Sequence, residues 1–389
     1  MKMNSEVLPA ELLQAERLLA VINLDAIASN WSYLNQTSGN ATAGAVVKAD
    51  AYGHGMAAVA KRLHQAGCRL FFTASIQEAV TLRATLPDAE IAYFDGLQPH
   101  DMEQVLTHRI IPSVGDAQQL TLLRAMAKTT GAPIPAMMNI DTGMNRLGFQ
   151  PHEIADMREN DWGNVVAWRM VYSHLACADE ADHPMNAQQL QDFTAVITSS
   201  IWRDVPKSMA ATGGIFLGQD YHFDITRPGI GLYGLMPNGD TVEGLTPALS
   251  LRAKTLQINT VQQGQTVGYG GSFTATRPSR LATIAGGYAD GINRKLSSKG
   301  QVMFKGLNAP MVGRVSMDVH VVDITDWPED ALMVGDWVVL LGDDGSSPSQ
   351  PEQAITAHDW AKDCETIPYE MLTTLGLRAK RHYAGASVS

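Results

Sequence analysis

Short apolar runs alternate with helix-period segments over the first two thirds of the chain. Gly44-Ala45-Val46-Val47-Lys48-Ala49 has the continuous apolar character of a buried strand. Apolar residues then recur at Met56, Val59, Ala60, Leu63 and Ala66, one face of a helix that Gly67 stops. Leu70 to Thr73, Ile91 to Phe94 and Ile110 to Val114 continue the strands, and Asp116 is placed to cap a helix running through Lys128. Ile134 to Ile140, Val165 to Tyr172, Lys207 to Ala211 and His222 to Thr226 complete eight strands, with a long helix over Asn186 to Ile201. Eight strand–helix units at this spacing predict a (β/α)₈ TIM-like barrel.

The texture changes near Glu243 to Pro247. From Leu249 to Lys254 apolar and polar residues alternate with the period of a half-exposed strand. Further strand-like runs follow at Leu281 to Ala285, Gln301 to Phe304, Val319 to Ile324 and Trp337 to Leu341, separated by glycine-rich turns. The expectation is therefore an α/β chain, with a barrel over residues 26–245 and a mostly β C-terminal domain over 246–389. The strand-like stretch Arg17 to Leu24, and with it residues 1–25, is a candidate addition to that second domain.

Composition narrows the function. The 389 residues carry a formal net charge of -11 and no basic stripe, which argues against nucleic acid as a partner. No apolar stretch reaches the length of a membrane span. The start of the chain lacks the basic and apolar segments of a signal peptide. Cys68, Cys177 and Cys364 are scattered and odd in number, so neither a disulfide framework nor a metal site is expected. A cytoplasmic setting follows as the expectation.

Barrel chemistry sits at the C-terminal ends of strands. Lys48 ends the first expected strand, where burial would lower its pKa and favour the neutral amine that forms a Schiff base. Tyr52 and small residues follow it. Asp141 to Gly148 lies after the fifth strand, His174 after the sixth, Thr212-Gly213-Gly214 after the seventh and Arg227 to Gly231 after the eighth. Thr212 and the Gly229 and Ile230 amides are placed to bind a phosphate, as barrels commonly do after strands seven and eight. Singly these signals are weak; their placement at successive strand ends carries the weight.

The run Ala45-Val46-Val47-Lys48-Ala49-Asp50-Ala51-Tyr52-Gly53-His54-Gly55 closely resembles the cofactor-lysine motif of alanine racemases. Asp141 to Gly148, Arg227 to Gly234, Gly268-Tyr269-Gly270, Gly286 to Gly291 and Ser316-Met317-Asp318 resemble further motifs of that family in the same order. The resemblance runs from about Val21 to Tyr383. It implies a pyridoxal 5'-phosphate barrel, a C-terminal β domain and a head-to-tail homodimer whose active sites are shared between subunits. It also implies roles. Lys48 holds the cofactor as an internal aldimine and is the base toward D-alanine. Tyr269 of the partner subunit acts from the opposite face on L-alanine. Arg227 faces the pyridine nitrogen, and Arg146 contacts the cofactor and the substrate carboxylate. Tyr52, Thr212, Gly229, Ile230 and Tyr369 match phosphate-site positions. Met317 matches a substrate-binding position through its backbone, and Tyr288 and Asp318 match positions near the access route. Two bases on opposite faces suit a reaction that removes a proton from one side and returns it to the other. A phenol normally titrates near 10, so a cationic network of Arg227 and His174 is the expected device for tuning Tyr269.

Alternatives within reach are a racemase of broader specificity or one acting on serine or lysine, a decarboxylase of similar architecture, and a non-catalytic cofactor carrier. Tyr369 disfavours larger substrates by crowding. Tyr269 and the Asp141 motif disfavour decarboxylation, and the second domain disfavours a simple carrier. Asn139 stands where many family members have a lysine whose carbamate orients the arginine matching Arg146. The expectation is that an anion such as chloride, or a direct amide contact, holds Arg146. Activity should accordingly be independent of carbon dioxide, checked by assaying degassed and bicarbonate-supplemented protein; a rise with carbon dioxide would contradict it.

Overall fold

The computed structural model describes residues 9–154, 162–344 and 354–385. The polar start of the chain up to Leu8 lies outside them. The chain divides into two compact units, one spanning Ala26–Thr246 and one joining the first 25 residues to the segment from Pro247.

The first unit is the parallel barrel. Its strands are Thr42–Ala43 with Ala45–Val46, Leu70–Thr73, Glu90–Tyr93, Ile111–Val114, Ile134–Asn139, Val166–Tyr172, Lys207–Ala211 and Ile225–Arg227. Neighbours in sequence are neighbours in the sheet throughout. The two short pieces of the first strand close the ring. Thr42 and Ala43 pair with Ile225 and Thr226, while Ala45 and Val46 pair with Phe71 and Phe72. Gly44 between them donates its N–H to Thr226 O at 2.9 Å. A Cβ there would lie 2.7 Å from the Phe72 ring. The strand can turn from one partner to the other because nothing projects at that point.

The helical face read from the sequence is the one buried: Met56, Val59, Ala60 and Leu63 of the helix Met56–Gln65. Asp116 caps Ala117–Thr130, accepting the Gln119 N–H at 2.8 Å. Three boundaries move. The first strand stops at Val46, two residues short of Lys48. The eighth is Ile225–Arg227 rather than His222 to Thr226, because Gln219–Tyr221 is a 3₁₀ turn whose N–H groups bond locally. The long helix is Pro184–Ile197, opened by Pro184 at its first turn, with Ser200–Trp202 in a separate 3₁₀ turn.

The second unit is built on one long strand, Leu249–Val261. Its first half pairs with Leu18–Asn23 and Trp337–Leu341, its second half with Ser279–Ala285. Val319–Asp323, Leu307–Val312 and Gln301–Phe304 complete a ring back to Trp337–Leu341. Leu18–Asn23 lies between Leu249–Val261 and the parallel strand Lys380–Ala384. Its residues Leu18 to Ile22 are all buried, which is why the run is apolar on both faces.

Asn30 joins the ends of the barrel unit. Its amide donates to Leu232 O at 3.0 Å and Thr246 O at 2.8 Å, and its oxygen accepts the Thr246 N–H at 2.8 Å. The side chain is fully buried. Asn30→Leu removes all three bonds while keeping the volume, and unsatisfied buried groups cost about 1–3 kcal/mol each. It should lower stability by about 3 kcal/mol, read as a shifted midpoint in urea unfolding with unchanged slope.

Candidate active site

Immediately after Val47 the backbone enters an unusual conformation. Ala49, Asp50, Ala51 and Tyr52 have φ of 52°, 53°, 55° and 53°, and Gly53 follows at 80°. Four consecutive non-glycine residues are thus in the left-handed region, at about 1–2 kcal/mol each. The turn is tied down on several sides. Ala51 N–H and Gly53 N–H donate to Val47 O and Ala49 O at 2.9 Å. The Asp50 carboxylate takes the Met56 N–H at 2.7 Å and so anchors the following helix. His54 Nδ1 lies 3.0 and 2.9 Å from the Ala51 and Tyr52 carbonyls, and its ring stacks on Tyr233 at 4.4 Å. Tyr233 donates to Val46 O at 3.2 Å.

The turn swings Tyr52 back over the end of the eighth strand. A Cβ at Gly229 would lie 2.5 Å from the Tyr52 hydroxyl, so the phenol rests directly on that backbone. Beneath it, Thr212 Oγ1 accepts from Gly229 N–H at 3.0 Å and Gly231 N–H at 3.1 Å. The Gly229 amide, expected from the sequence at a phosphate site, donates to Thr212 here. Ile230 N–H is the amide of this turn that Thr212 does not take.

The floor of the mouth is cationic. Arg227, 2% exposed, donates to the Ser208 hydroxyl, to Ser173 O at 2.6 Å and to Met209 O at 3.3 Å. Its guanidinium lies 4.9 Å from the centre of the Tyr172 ring. Burial lowers its pKa to about 10, which still leaves it charged at neutral pH. Tyr172 shares a 2.7 Å hydrogen bond with Ser113, and burial pushes its phenol up to about 12. His174 is brought down to about 3 by burial and by Arg227, Arg146 and Lys48. The imidazole is therefore neutral. The expected cationic network of Arg227 and His174 is corrected to a charge carried by Arg227 beside a neutral ring.

Lys48 faces this group. Burial lowers its pKa, Arg146 adds to the effect, and Glu78 and Asp95 oppose it. Arg146 sits on an exposed turn pinned by Asp141, which accepts from Gly143 N–H at 2.9 Å, Asn145 N–H at 3.0 Å and Gln150 at 3.2 Å. Among the described residues no hydrogen bond joins Asn139 to Arg146. Lys48, Tyr52, Arg146, His174, Thr212, Arg227, Gly229 and Ile230 thus converge on one end of the barrel.

The remaining residues of interest lie on the other unit. Arg378 gathers three of them. It pairs with both oxygens of Asp290 at 2.7 Å and with Asp318 at 2.8 Å. Asp290 in turn caps the Tyr288–Asp290 turn through Gly287 N–H at 2.9 Å. Tyr288, Met317 and Asp318 are held together in this way, with Tyr288 and Met317 exposed. Tyr269 occupies a separate glycine-flanked turn against Arg314 and is 72% exposed. Tyr369 is in the helix Pro368–Thr373. Sequence reading missed Tyr172, Glu78, Asp95 and Arg378. A tyrosine ending a strand looks like an ordinary strand former, a glutamate three residues after a serine looks like part of a helix cap, and charged residues on short turns look like solvated surface.

Two family models match, the alanine racemase N-terminal domain over residues 22–237 and the alanine racemase C-terminal domain over residues 248–383. The chain belongs to the alanine racemase family. An alanine racemase of Rhizobium meliloti is 39% identical, covering 97% of this chain and 99% of the relative. A catabolic alanine racemase of Agrobacterium fabrum is 41% identical over 95% of this chain and 92% of its own length. Among solved structures, the Bartonella henselae alanine racemase with covalently bound pyridoxal phosphate superposes with a TM-score of 0.87 at 37% identity, covering 95% of this chain and 99% of that one. The barrel and the mostly β unit expected from the sequence are the two domains of this family. No helix among the described residues is long and apolar enough to cross a membrane.

The neutral His174 has a consequence for acid stability. Its folded pKa of about 3 lies below its ordinary 6.5, so the unfolded chain binds the proton more readily. Stability is full above about 6.5 and falls as the pH drops toward 3. His174→Asn should flatten the loss between pH 6.5 and 5 by about 1.7 kcal/mol, measured by denaturant unfolding across that range; an unchanged slope would contradict a neutral imidazole.

Proposed function

We infer that this protein interconverts L- and D-alanine with pyridoxal 5'-phosphate attached to Lys48. The observation that carries the reading is the lysine itself. Its amine is made less basic by burial and Arg146, at the mouth of a barrel whose next strand ends supply Arg227 and the Thr212–Gly229 turn. The barrel's residues fit the cofactor. The close approach of the Tyr52 hydroxyl to Gly229, where a side chain would clash, leaves a cradle of phenol, hydroxyl and the Ile230 amide suited to a phosphate. When bound, the cofactor acts as an electron sink that acidifies the amino acid Cα–H.

The chain's own groups do the rest. Lys48 Nζ takes or returns the proton on one face; its lowered pKa keeps part of the amine neutral at the operating pH. Arg227, charged and locked by Ser208, Ser173 and Met209, would meet the cofactor ring. Arg146 receives the substrate carboxylate. Thr212, Tyr52, Gly229, Ile230 and Tyr369 surround the phosphate, with Gly229 contributing through its bond to Thr212. Tyr269 of the partner subunit supplies the second proton donor and acceptor. Met317 meets substrate through its backbone, and Tyr288 and Asp318 line the access route. The support for a shared site is the strong exposure of Tyr269 together with Tyr288 and Met317, aromatic and apolar groups that a homodimer interface would cover. An anion held beside Asn139 is the arrangement proposed for orienting Arg146.

Deuterium exchange at Cα separates the two bases. Lys48→Ala should abolish exchange from both enantiomers. Tyr269→Phe should lose exchange from L-alanine by 10²-fold or more while retaining it from D-alanine. Mixing the two inactive variants should restore up to about a quarter of wild-type activity through mixed dimers. Equal loss of exchange from both enantiomers in Tyr269→Phe would sink the two-base scheme, and no recovery on mixing would sink the shared site.

A further inference from the structure

We infer that Glu78 is a positioning residue for Lys48, its carboxylate tying the strained turn after the lysine to the end of the neighbouring strand. One oxygen accepts the Ala49 N–H at 2.7 Å and the other accepts the Ala74 N–H at 2.8 Å. Ala74 follows the strand Leu70–Thr73, which is paired with the strand leading into Lys48. Ala49 is the first of the four left-handed residues. Fixing its N–H fixes the peptide plane between Lys48 and Ala49, and so the direction in which the lysine side chain leaves the backbone.

Glu78 is the third residue of the helix Ile76–Thr85, whose cap Ser75 accepts the Glu78 N–H at 3.4 Å. A glutamate there ordinarily folds back onto the N–H of the capping residue itself. Here it reaches past Ser75 to Ala74 and commits its second oxygen to Ala49. A helix cap would need only one of these bonds. Serving the two N–H donors with separate oxygens requires a carboxylate, since a carboxamide would turn its NH₂ toward one of them.

The same group also sets charge. The ionisable neighbours acting on the Lys48 amine are Arg146, which disfavours its protonation, and Glu78 and Asp95, which favour it; the neutral His174 completes the set. Glu78 therefore restrains the lysine's position and moderates the fall in its basicity. The inference rests on the reading of Lys48 as the cofactor-bearing base.

The test uses full-length protein with Glu78→Gln and Glu78→Asp. In cofactor-free protein, amide hydrogen exchange of the peptide from Lys48 to Met56 should quicken about tenfold in both variants, the loss expected for one charge-assisted bond. In protein loaded with pyridoxal phosphate, the visible absorbance of the lysine-bound cofactor should titrate at lower pH in Glu78→Gln and near the wild-type pH in Glu78→Asp, which keeps the charge but is too short to span both amides. Glu78→Gln should lower kcat about tenfold while KM for alanine moves less than about threefold. Wild-type exchange and a wild-type titration in Glu78→Gln would overturn the inference. Should that variant fail to fold, unchanged exchange in Glu78→Asp would overturn it alone. A wild-type protein showing no lysine-bound absorbance would instead defeat the functional reading and leave the exchange measurement to judge the tie.

Discussion

The backbone between Val47 and Gly53 is the constraint on which the site depends. Placing Lys48 at a strand end is easy; returning Tyr52 to the end of the adjoining eighth strand within four residues is not. A right-handed turn would carry the phenol away from the eighth strand. The left-handed turn brings it down on Gly229, at about 1–2 kcal/mol for each of Ala49, Asp50, Ala51 and Tyr52. Such strain persists only when the surroundings over-determine it. Here they do so with the Asp50 bond to Met56, the His54 contacts to two turn carbonyls, the Glu78 bond to Ala49 and the stack of His54 on Tyr233. The missing side chain at Gly229 is the other half of the same arrangement, because the phenol and a Cβ cannot share that space.

The electrostatics follow from this geometry. Lysine, histidine and two arginines are drawn to one end of a barrel in a chain that is acidic overall. They cannot all be charged at low cost. The structure resolves the conflict unevenly. Arg227 keeps its charge because three acceptors and the face of Tyr172 surround it. His174 gives up its proton. Lys48 is shifted in the same direction, moderated by Glu78 and Asp95. The order is set by intrinsic proton affinity: a guanidinium is the last of the three to neutralise. What results is a fixed cation, a neutral ring and an adjustable amine at one end of the barrel.

Much of this was legible in the sequence, and the gaps have physical causes. The eight strands announced themselves as apolar runs, and Lys48, His174, Thr212 and Arg227 fell at their ends as the barrel requires. The left-handed turn did not, since Ala, Asp, Ala and Tyr carry no preference for positive φ; only Gly53 and Gly55 hinted at it. Glu78 was hidden because Ser75-x-x-Glu78 reads as a helix cap, and its actual partners are fixed by tertiary structure. The charge state of His174 was equally invisible, because it depends on burial and on arginines distant in sequence. The eighth strand was placed early because His222 to Thr226 has strand-like composition, although His222 instead bonds to Ser38 O and Ile215 O from a turn.

The strand Leu18–Asn23 shows why the two units cannot be separated by cutting the chain once. It is flanked by Leu249–Val261 on one side and Lys380–Ala384 on the other, with Leu18 to Ile22 buried. The barrel is thus an insertion between one strand of the β unit and its partners. All of its pairings but the closing one, Thr42–Ala43 with Ile225–Arg227, join strands adjacent in sequence, whereas Leu18–Asn23 must wait for a partner more than 200 residues later. Local contacts form before non-local ones repay their loop-closure cost. The strands of the barrel, with Lys48 and its turn, are complete in the sequence before the last third of the chain, whereas the β unit needs strands from both ends of the chain. Its outward-facing Tyr269 is therefore presented only by a chain whose barrel strands have all been made.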